Sequence, residues 1–305
     1  MKKERSSLYI WKQNLFFLEL ERLMHAQMHA VRLPRLLLGI VRIWLILDRA
    51  LSVRLPRLIL TGLMHFALIF YALHFVPICT LITLPDIQIL FFTPWVLERN
   101  TPLKVFGPKG LRHMTDHILE AYSTDIDFRI HGFEKANENG YKVDVTEIEN
   151  EENPGIIYQD EYVSVEAFPV SHGTLICYGY KFVTADRTIV ISGDTAPLEL
   201  VAQKASGCDI LLHEVEYSAG ISAREPKWQK YHREVHTLST DLAWVAKKAQ
   251  PKLLVTYHRI YHMNIQDNHI NLAAEMARRD EAILDEIKTA GYEGYTVNGK
   301  DLDVF

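Results

Sequence analysis

Residues 93–305 predict an α/β or α+β fold with a layered sheet. Short runs rich in β-branched and aromatic residues alternate there with amphipathic segments of helical length. Many of these segments end at glycine, at proline or at turn-forming polar residues. A chain of this length and alternation can bury a sizeable core between a sheet and its helices.

The predicted strands are short and apolar. The run "LKVFGP" stops at Gly-Pro, and "CYGYKFVTADRTIVISGD" holds two β-rich runs joined by "TADR", which predicts a hairpin. The other predicted strands are "YKVDVTEI", "EYVSVEAFPVSH", "CDILLHE" and "LLVTYH".

The predicted helices follow from apolar spacing and from their end signals. In "KGLRHMTDHILEAY" the spacing places Leu111, Ile118 and Tyr122 on one face. The segment "APLELVAQKASG" opens with a proline near its start and closes with glycine. The other predicted helices are "LSTDLAWVAKKAQPK" and "HINLAAEMARRDEAILDEIKTAGY".

Composition excludes some classes of function. The net charge is −5 over 305 residues, so the chain as a whole has no attraction for nucleic acid, and a polyanionic substrate would need a local basic patch. Cys79, Cys177 and Cys208 are too few and too scattered for a disulfide framework. These features predict a cytoplasmic protein.

The amino-terminal part has a different composition. Residues 1–92 are rich in Leu, Ile and Arg, and residues 58–85 contain no Lys, Arg, Asp or Glu. An uncharged run of that length is enough to span a bilayer, and arginines precede it as on a cytoplasmic flank. We therefore predict two parts: an aberrant or membrane-like segment over 1–92 and a folded domain over 93–305.

Polar side chains stand at the carboxyl ends of several predicted strands. His172 ends "FPVSH", Asp194 follows "VISG", and His258 ends "LLVTYH", while His213 and His236 lie in "DILLHE" and "EVHTLST". Strand ends that meet at one rim can bring such groups together. Imidazole nitrogen and carboxylate oxygen suit Zn²⁺, and a carboxylate can bridge two ions.

Each of these residues also has an ordinary explanation. A lone histidine at a strand end is usually a core or surface residue, and Asp194 alone could cap the helix that follows it. A helical stripe facing solvent explains His113 and His117, and surface positions are expected for His232, His262 and His269. The segment Arg224–His236 is basic and aromatic, so it predicts either a phosphate-contacting patch or a solvated loop.

Taken in order, several strings resemble the ribonuclease Z-like branch of the metallo-β-lactamase superfamily. They are "TPWVL", "VFGPKG", "FPVSHG", "VISGDT", "CDILLHE", "HTLST", "PKLLVTYH" and "GKDLDVF", and they cover the last two-thirds of the chain. The resemblance implies an α+β fold, specifically a four-layer αββα sandwich with a dinuclear zinc site at one edge.

The resemblance also implies roles for the residues of the predicted rim. His172 and His258 would be zinc ligands, and Asp194 would bridge the two ions. His236 would act on the scissile phosphate or the leaving group, with Glu214 orienting it and His213 beside them. The catalytic set is then His236, Glu214 and His213.

The family's HxHxDH motif is missing, and "PICTLITLPDIQI" stands at the corresponding place. A possible coding for T-H-L-H-S-D-H-T, read one base later, gives P-I-C-T-L-I-T-L, which is residues 77–84. "LILDRALSV" is likewise compatible with a shifted glycine-turn segment of the family. Our hypothesis is that residues from about 40 to 92 are a frame-shifted reading, with normal reading resumed near Thr93.

We therefore expect a zinc-dependent hydrolase that attacks a phosphodiester or related ester with a metal-bound hydroxide. The substrate could be precursor tRNA, although the long arm that grips tRNA in the family is not evident between Asp194 and His236, which favours a smaller ester. A homodimer is among the assemblies this interpretation allows. Without the HxHxDH cluster we expect weak or absent zinc binding and little activity. The alternative is a non-catalytic, membrane-tethered protein of the same fold, if the 58–85 run is a genuine span.

Overall fold

The computed structural model describes residues 73–75, 87–263, 271–300, 303 and 305. Its smaller sheet has three parallel strands in the order β1-β2-β3: β1 (Leu73–Phe75), β2 (Leu103–Gly107) and β3 (Val143–Glu147). Three helices belong to this half of the domain: α1 (Ile87–Val96), α2 (Leu111–Ala121) and α3 (Ser123–His131).

The larger sheet has seven strands in the order β10-β9-β8-β7-β6-β5-β4. They are β4 (Gly155–Gln159), β5 (Ser164–His172), β6 (Leu175–Val183), β7 (Thr188–Ile191), β8 (Ile210–Glu216), β9 (Leu253–Ile260) and β10 (Thr296–Asn298). Neighbours from β4 to β7 pair antiparallel and neighbours from β7 to β10 pair parallel. The carboxyl ends of β7, β8 and β9 therefore share one edge of the sheet.

Five helices accompany the larger sheet. They are α4 (Glu199–Lys204), α5 (Ser218–Ser222), α6 (Pro226–Val235), α7 (Ser239–Ala249) and α8 (Leu272–Thr289). The side chain of Asn271 caps α8 by accepting a hydrogen bond from the Ala274 amide. The connections between β7, β8 and β9 run through α4 and through α5–α7, as parallel pairing requires.

The apolar side chains form three buried clusters that define four layers. Leu103, Val105 and Val145 face α1–α3, whereas Phe106 faces the larger sheet and packs with residues such as Tyr180. On the opposite face of the larger sheet, residues of β7, β8 and β9 pack against α4, α7 and α8. The order helix, sheet, sheet, helix confirms the predicted αββα sandwich for the described residues.

The strands and long helices lie where the sequence places them, with some exceptions. The segment expected to be either a phosphate-contacting patch or a solvated loop, Arg224–His236, contains the ten-residue helix α6. Trp228, Tyr231 and Val235 follow helical spacing in the sequence, but only Val235 of α6 is buried. Helix α3, the short helix α5 and strands β4 and β10 were also not predicted.

Helix α1 crosses the predicted domain boundary between residues 92 and 93. Ile87, Phe91 and Phe92 on one side of that point and Trp95 on the other are buried in the same cluster. The boundary therefore stays a prediction about the origin of the sequence, since no break in secondary structure coincides with it. The uncharged 58–85 run lies outside the described residues except for β1. Among the residues that are described, no helix is both long and apolar enough to cross a membrane.

Candidate metal and active site

His172 ends β5 with its ring buried against the end of α6. Its side chain is 5% exposed, and its Nδ1 lies 2.7 Å from the carbonyl oxygen of Val235. A carbonyl can only accept, so Nδ1 carries the proton and Nε2 keeps its lone pair in the neutral ring. Burial lowers the pKa of His172, and this favours that neutral form.

Asp194 follows β7 through a left-handed glycine. Gly193 has a φ of 67°, a conformation in which a side chain is strained, and it turns the chain so that the Asp194 carboxylate is buried at the sheet edge. One oxygen, Oδ2, lies 3.6 Å from Nε2 of His258. The other, Oδ1, is buried and has no hydrogen-bond partner within the described part of the chain. An orphan buried carboxylate oxygen is costly unless a cation or a proton satisfies it.

His258 reaches Asp194 because β9 carries a bulge. Glu214 of β8 pairs with Tyr257 and Val215 pairs with Arg259, so His258 is the extra residue of the pairing. Its φ is 43°, in the left-handed region that non-glycine residues rarely occupy. The backbone strain at this position redirects the His258 ring toward the rim.

Glu214 and His236 form a buried pair beside these groups. Oε1 of Glu214 lies 3.4 Å from Nδ1 of His236 and accepts backbone hydrogen bonds from Thr237 at 2.8 Å and Thr195 at 3.3 Å. Burial alone would lower the pKa of His236, but the charge of Glu214, with help from Asp194, outweighs it and raises that pKa. Burial raises the pKa of Glu214.

His236 lies between the two predicted histidine ligands. Its ring centroid is 5.1 Å from that of His172 and 5.9 Å from that of His258. The structure therefore brings His172, Asp194, Glu214, His236 and His258 to one rim, as the sequence predicts.

The donor types fit a divalent cation. His172 has Nε2 available, Asp194 has an unpartnered buried oxygen, and His258 Nε2 adjoins that carboxylate. These three are fewer donors than a dinuclear site needs. Their ligand atoms are also less closely grouped than those of Glu216, His232 and His262 at the same rim.

The curated proteins that are similar to this chain include several with the same name, ribonuclease Z. No protein-family model matches the chain. Ribonuclease Z of Shouchella clausii (strain KSM-K16) is 27% identical over 194 residues, which cover 52% of this chain and 59% of that protein. Ribonuclease Z of Methanosarcina acetivorans is 27% identical over 233 residues, covering 65% of this chain and 72% of that protein.

The chain is therefore similar in sequence to ribonucleases Z. It spans about three-fifths of the length of the first of these relatives. Among solved structures, the metallo-beta-lactamase fold protein YhfI from Bacillus subtilis aligns with a TM-score of 0.49 and 16% identity, covering 80% of this chain and 81% of that one. Human tRNase Z, short form, aligns with a TM-score of 0.47 and 21% identity, covering 62% and 72%.

The structure does not bring His213 into the group at the rim. His213 is fully buried and lies on the same face of β8 as Leu211 and Val215, which pack toward the helices, whereas Glu214 faces the rim. Its Nδ1 lies 2.7 Å from the carbonyl oxygen of Glu214, and burial lowers its pKa to about 4. His213 therefore has no part in the catalytic roles that we propose for the rim.

A second group of polar side chains at the rim was not predicted from the sequence. His232 and His262 were expected at the surface, but both rings pack against the buried carboxylate of Glu216. Their spacing was available as a signal. Glu216 follows Glu214 by two residues on β8, His232 precedes His236 by four, and His262 follows His258 by four.

The remaining histidines of interest stay outside the rim. His113 and His117 are exposed on α2 with ring centroids 4.3 Å apart, in agreement with the predicted solvent-facing stripe. His269 lies outside the described residues.

Proposed function

We propose that this chain is built for metal-dependent hydrolysis of a phosphodiester in RNA, the class of reaction named by its relatives, the ribonucleases Z. The observation that carries the proposal is the adjacency of two pairs: Asp194 with His258, and Glu214 with His236. The first pair offers metal ligands and the second offers a held proton donor. Phosphodiester hydrolysis needs both, because charge develops on the phosphate and on the leaving oxygen.

His172, Asp194 and His258 would hold the cation. A divalent cation in such a site supplies Lewis acidity toward a phosphoryl oxygen and a strong nucleophile at neutral pH. The protein's own contribution is orientation. The Val235 carbonyl holds the His172 ring, and the bulge in β9 directs the His258 ring to the carboxylate.

His236 would give a proton to the leaving oxygen. Its raised pKa favours the protonated ring near neutral pH, and the buried carboxylate of Glu214 stabilises that charge. Glu214 is a positioning residue, because the amides of Thr195 and Thr237 fix its Oε1 next to Nδ1 of His236. Nε2 of His236 is the nitrogen left to face a substrate.

We expect the chain as it stands to have little of this activity. Three ligands remain where the family uses the HxHxDH cluster as well, and residues 77–84 supply no histidine or aspartate in its place. The test therefore compares the unaltered chain with a version translated in the restored frame over residues 40–92, in which residues 77–84 become Thr-His-Leu-His-Ser-Asp-His-Thr. Both are assayed on a chromogenic bis-phosphodiester and on precursor tRNA.

The proposal expects cleavage by the restored chain and at most a trace by the unaltered one. In the restored chain, His236→Ala should slow precursor tRNA cleavage by about 10²-fold or more. The same change should slow the chromogenic diester much less, because a nitrophenolate leaves without a proton. His131→Gln, an exposed histidine on α3, is the matched control. A restored, folded chain that cleaves neither substrate would overturn the proposal.

A further inference from the structure

Glu216, His232 and His262 form a compact group that we call the Glu216 cluster. Glu216 ends β8, His232 lies on α6, and His262 follows β9. Their ligand atoms all lie within 4.8 Å of one another, the only such group of histidine, cysteine and acidic side chains in the described ranges. Nδ1 of His232 is 3.0 Å from Oε1 of Glu216, and Nε2 of His262 contacts the same oxygen.

The Glu216 carboxylate is buried, and one of its two oxygens lacks a hydrogen bond within the described residues. It has no exposed surface, and its Oε2 has no hydrogen-bond partner among the residues that the structure describes. Nδ1 of His232 is close to the carboxylate but is not aligned for a hydrogen bond with it. A buried carboxylate flanked only by imidazoles is expensive to maintain, and a cation among the three groups would offset that cost.

We propose that the Glu216 cluster binds a single divalent transition-metal cation, with Zn²⁺ as the best match. Two imidazoles and one carboxylate are a known ligand set for zinc, and they leave a fourth position open. Tetrahedral bonds of about 2.0–2.1 Å place ligand atoms about 3.4 Å apart, so the cluster needs only small side-chain adjustments. Hard cations such as Mg²⁺ and Ca²⁺ prefer oxygen ligands and fit this set poorly.

The backbone around His262 is held in place, as a metal site requires. Nη1 of Arg279 donates to the carbonyl of Tyr261, and the Tyr261 hydroxyl donates to Asp280 at 2.6 Å. Gly220 packs so closely that an added Cβ would lie 2.9 Å from the Tyr261 carbonyl oxygen and 3.4 Å from Cβ of His262. This segment is therefore positioned by contacts with α5 and α8 and does not depend on the cation for its place.

The site uses none of the three ligands assigned to the hydrolytic centre. The rings of His232 and His236 are 5.7 Å apart, so the two sites are neighbours on the rim, but they draw on separate side chains. The proposal consequently does not depend on the proposed function. It also needs none of residues 77–84.

The experiment measures cation binding by the unaltered full chain. Metal is first removed with a chelator, and Co²⁺ and then Zn²⁺ are added, with binding followed by the visible absorption of Co²⁺ and by metal analysis after gel filtration. The informative variants are His262→Gln, Glu216→Gln and the triple variant His172→Asn/Asp194→Asn/His258→Asn. The matched control is His113→Gln/His117→Gln, which removes an exposed histidine pair from α2.

One tightly bound cation per chain is expected in the unaltered protein, in the triple variant and in the control, with a four-coordinate Co²⁺ spectrum. His262→Gln and Glu216→Gln should each weaken binding by more than about 100-fold, which is the upper end of the loss caused by removing a residue that only contacts a ligand. Zn²⁺ should raise the thermal midpoint of the triple variant and leave that of His262→Gln unchanged.

Binding that survives His262→Gln and Glu216→Gln but disappears in the triple variant would overturn the proposal and place the cation at the hydrolytic centre. Absence of binding by the folded unaltered chain would also overturn it. Because His262 follows the end of β9 whereas Glu216 is part of β8, the His262 variant keeps the test valid even if Glu216→Gln misfolds. Neither outcome bears on cleavage by the restored chain, so the two proposals fail separately.

Discussion

Oε1 of Glu214 lies 3.4 Å from Nδ1 of His236 and at the same time accepts the amide of Thr237, the residue that follows His236. One buried oxygen thus fixes both the ring and the backbone beside it. Because the carboxylate has no exposed surface, its effect on the ring is little screened by water. The charge of Glu214 is therefore the main factor that raises the pKa of His236.

Replacing Glu214 by Gln should lower the pKa of His236. Burial opposes the charged ring, and the raised pKa exists because Glu214 outweighs that burial. Loss of the carboxylate should therefore lower the pKa, as measured by NMR titration of the histidine rings in metal-free protein. Glu234→Gln, an exposed carboxylate two residues before His236, should leave the value unchanged. An unmoved His236 titration in Glu214→Gln would contradict this account.

His213 should make stability depend on pH in the acid range. Its folded pKa of about 4 is below the unfolded value near 6.5, so the unfolded chain binds the extra proton between these values. Stability from this residue is present above pH 6.5 and is lost as pH falls toward 4. Between pH 7 and pH 5 the loss should be about 2 kcal/mol. In His213→Asn, the free energy of unfolding measured in urea should fall by about 2 kcal/mol less between pH 7 and pH 5 than it does in the unaltered protein. An equal fall in both proteins would refute the assignment.

The left-handed backbone at His258 predicts an inverted ranking of substitutions. Glycine relieves the strain of a φ of 43°, whereas alanine keeps it, so His258→Gly should be more stable than His258→Ala by about 1 kcal/mol. Chemical unfolding in chelator isolates this effect from metal binding. The same two substitutions at Arg259, which lies outside the left-handed region, should rank in the usual order with alanine above glycine. If the alanine variant is more stable than the glycine variant at both positions, the backbone at His258 is not strained.

The hypothesis about the reading frame predicts a specific nucleotide sequence. Codons 77–84 should read Thr-His-Leu-His-Ser-Asp-His-Thr in the frame that starts one base earlier, and an insertion or deletion should lie near codon 92. Resequencing the gene together with its transcript would reveal it. A single open frame that reads through codons 40–95 in independent isolates would be evidence that the run from 58 to 85 is a true product.

The sequence was sufficient for the layered fold and for most of the rim. Strand periodicity located β5, β7 and β9, and parallel strands bring their carboxyl ends to one edge, so His172, Asp194 and His258 could be predicted as neighbours. The bulge that redirects His258 was not predictable, because it depends on the pairing of β9 with β8 and leaves no local signal.

The Glu216 cluster could not be predicted because it depends on tertiary contacts between separate elements. His232 is on a helix that buries only Val235, so its sequence has the polarity of a solvated loop. Its contact with Glu216 exists only because α6 lies over the end of β8. Likewise, His213 and Glu214 are adjacent in sequence, and only the alternation along β8 separates their environments.

Strand β8 sends its odd-numbered side chains, Leu211 to Val215, into the helical layer and its even-numbered acids, Glu214 and Glu216, to the rim. A one-residue insertion within it would exchange the two sets, moving carboxylates into the apolar layer and aliphatic groups to the rim at which we propose that cations bind. Such a change would abolish folding and chemistry together. Insertions should therefore be tolerated better in the connections that follow β8 than within the strand itself.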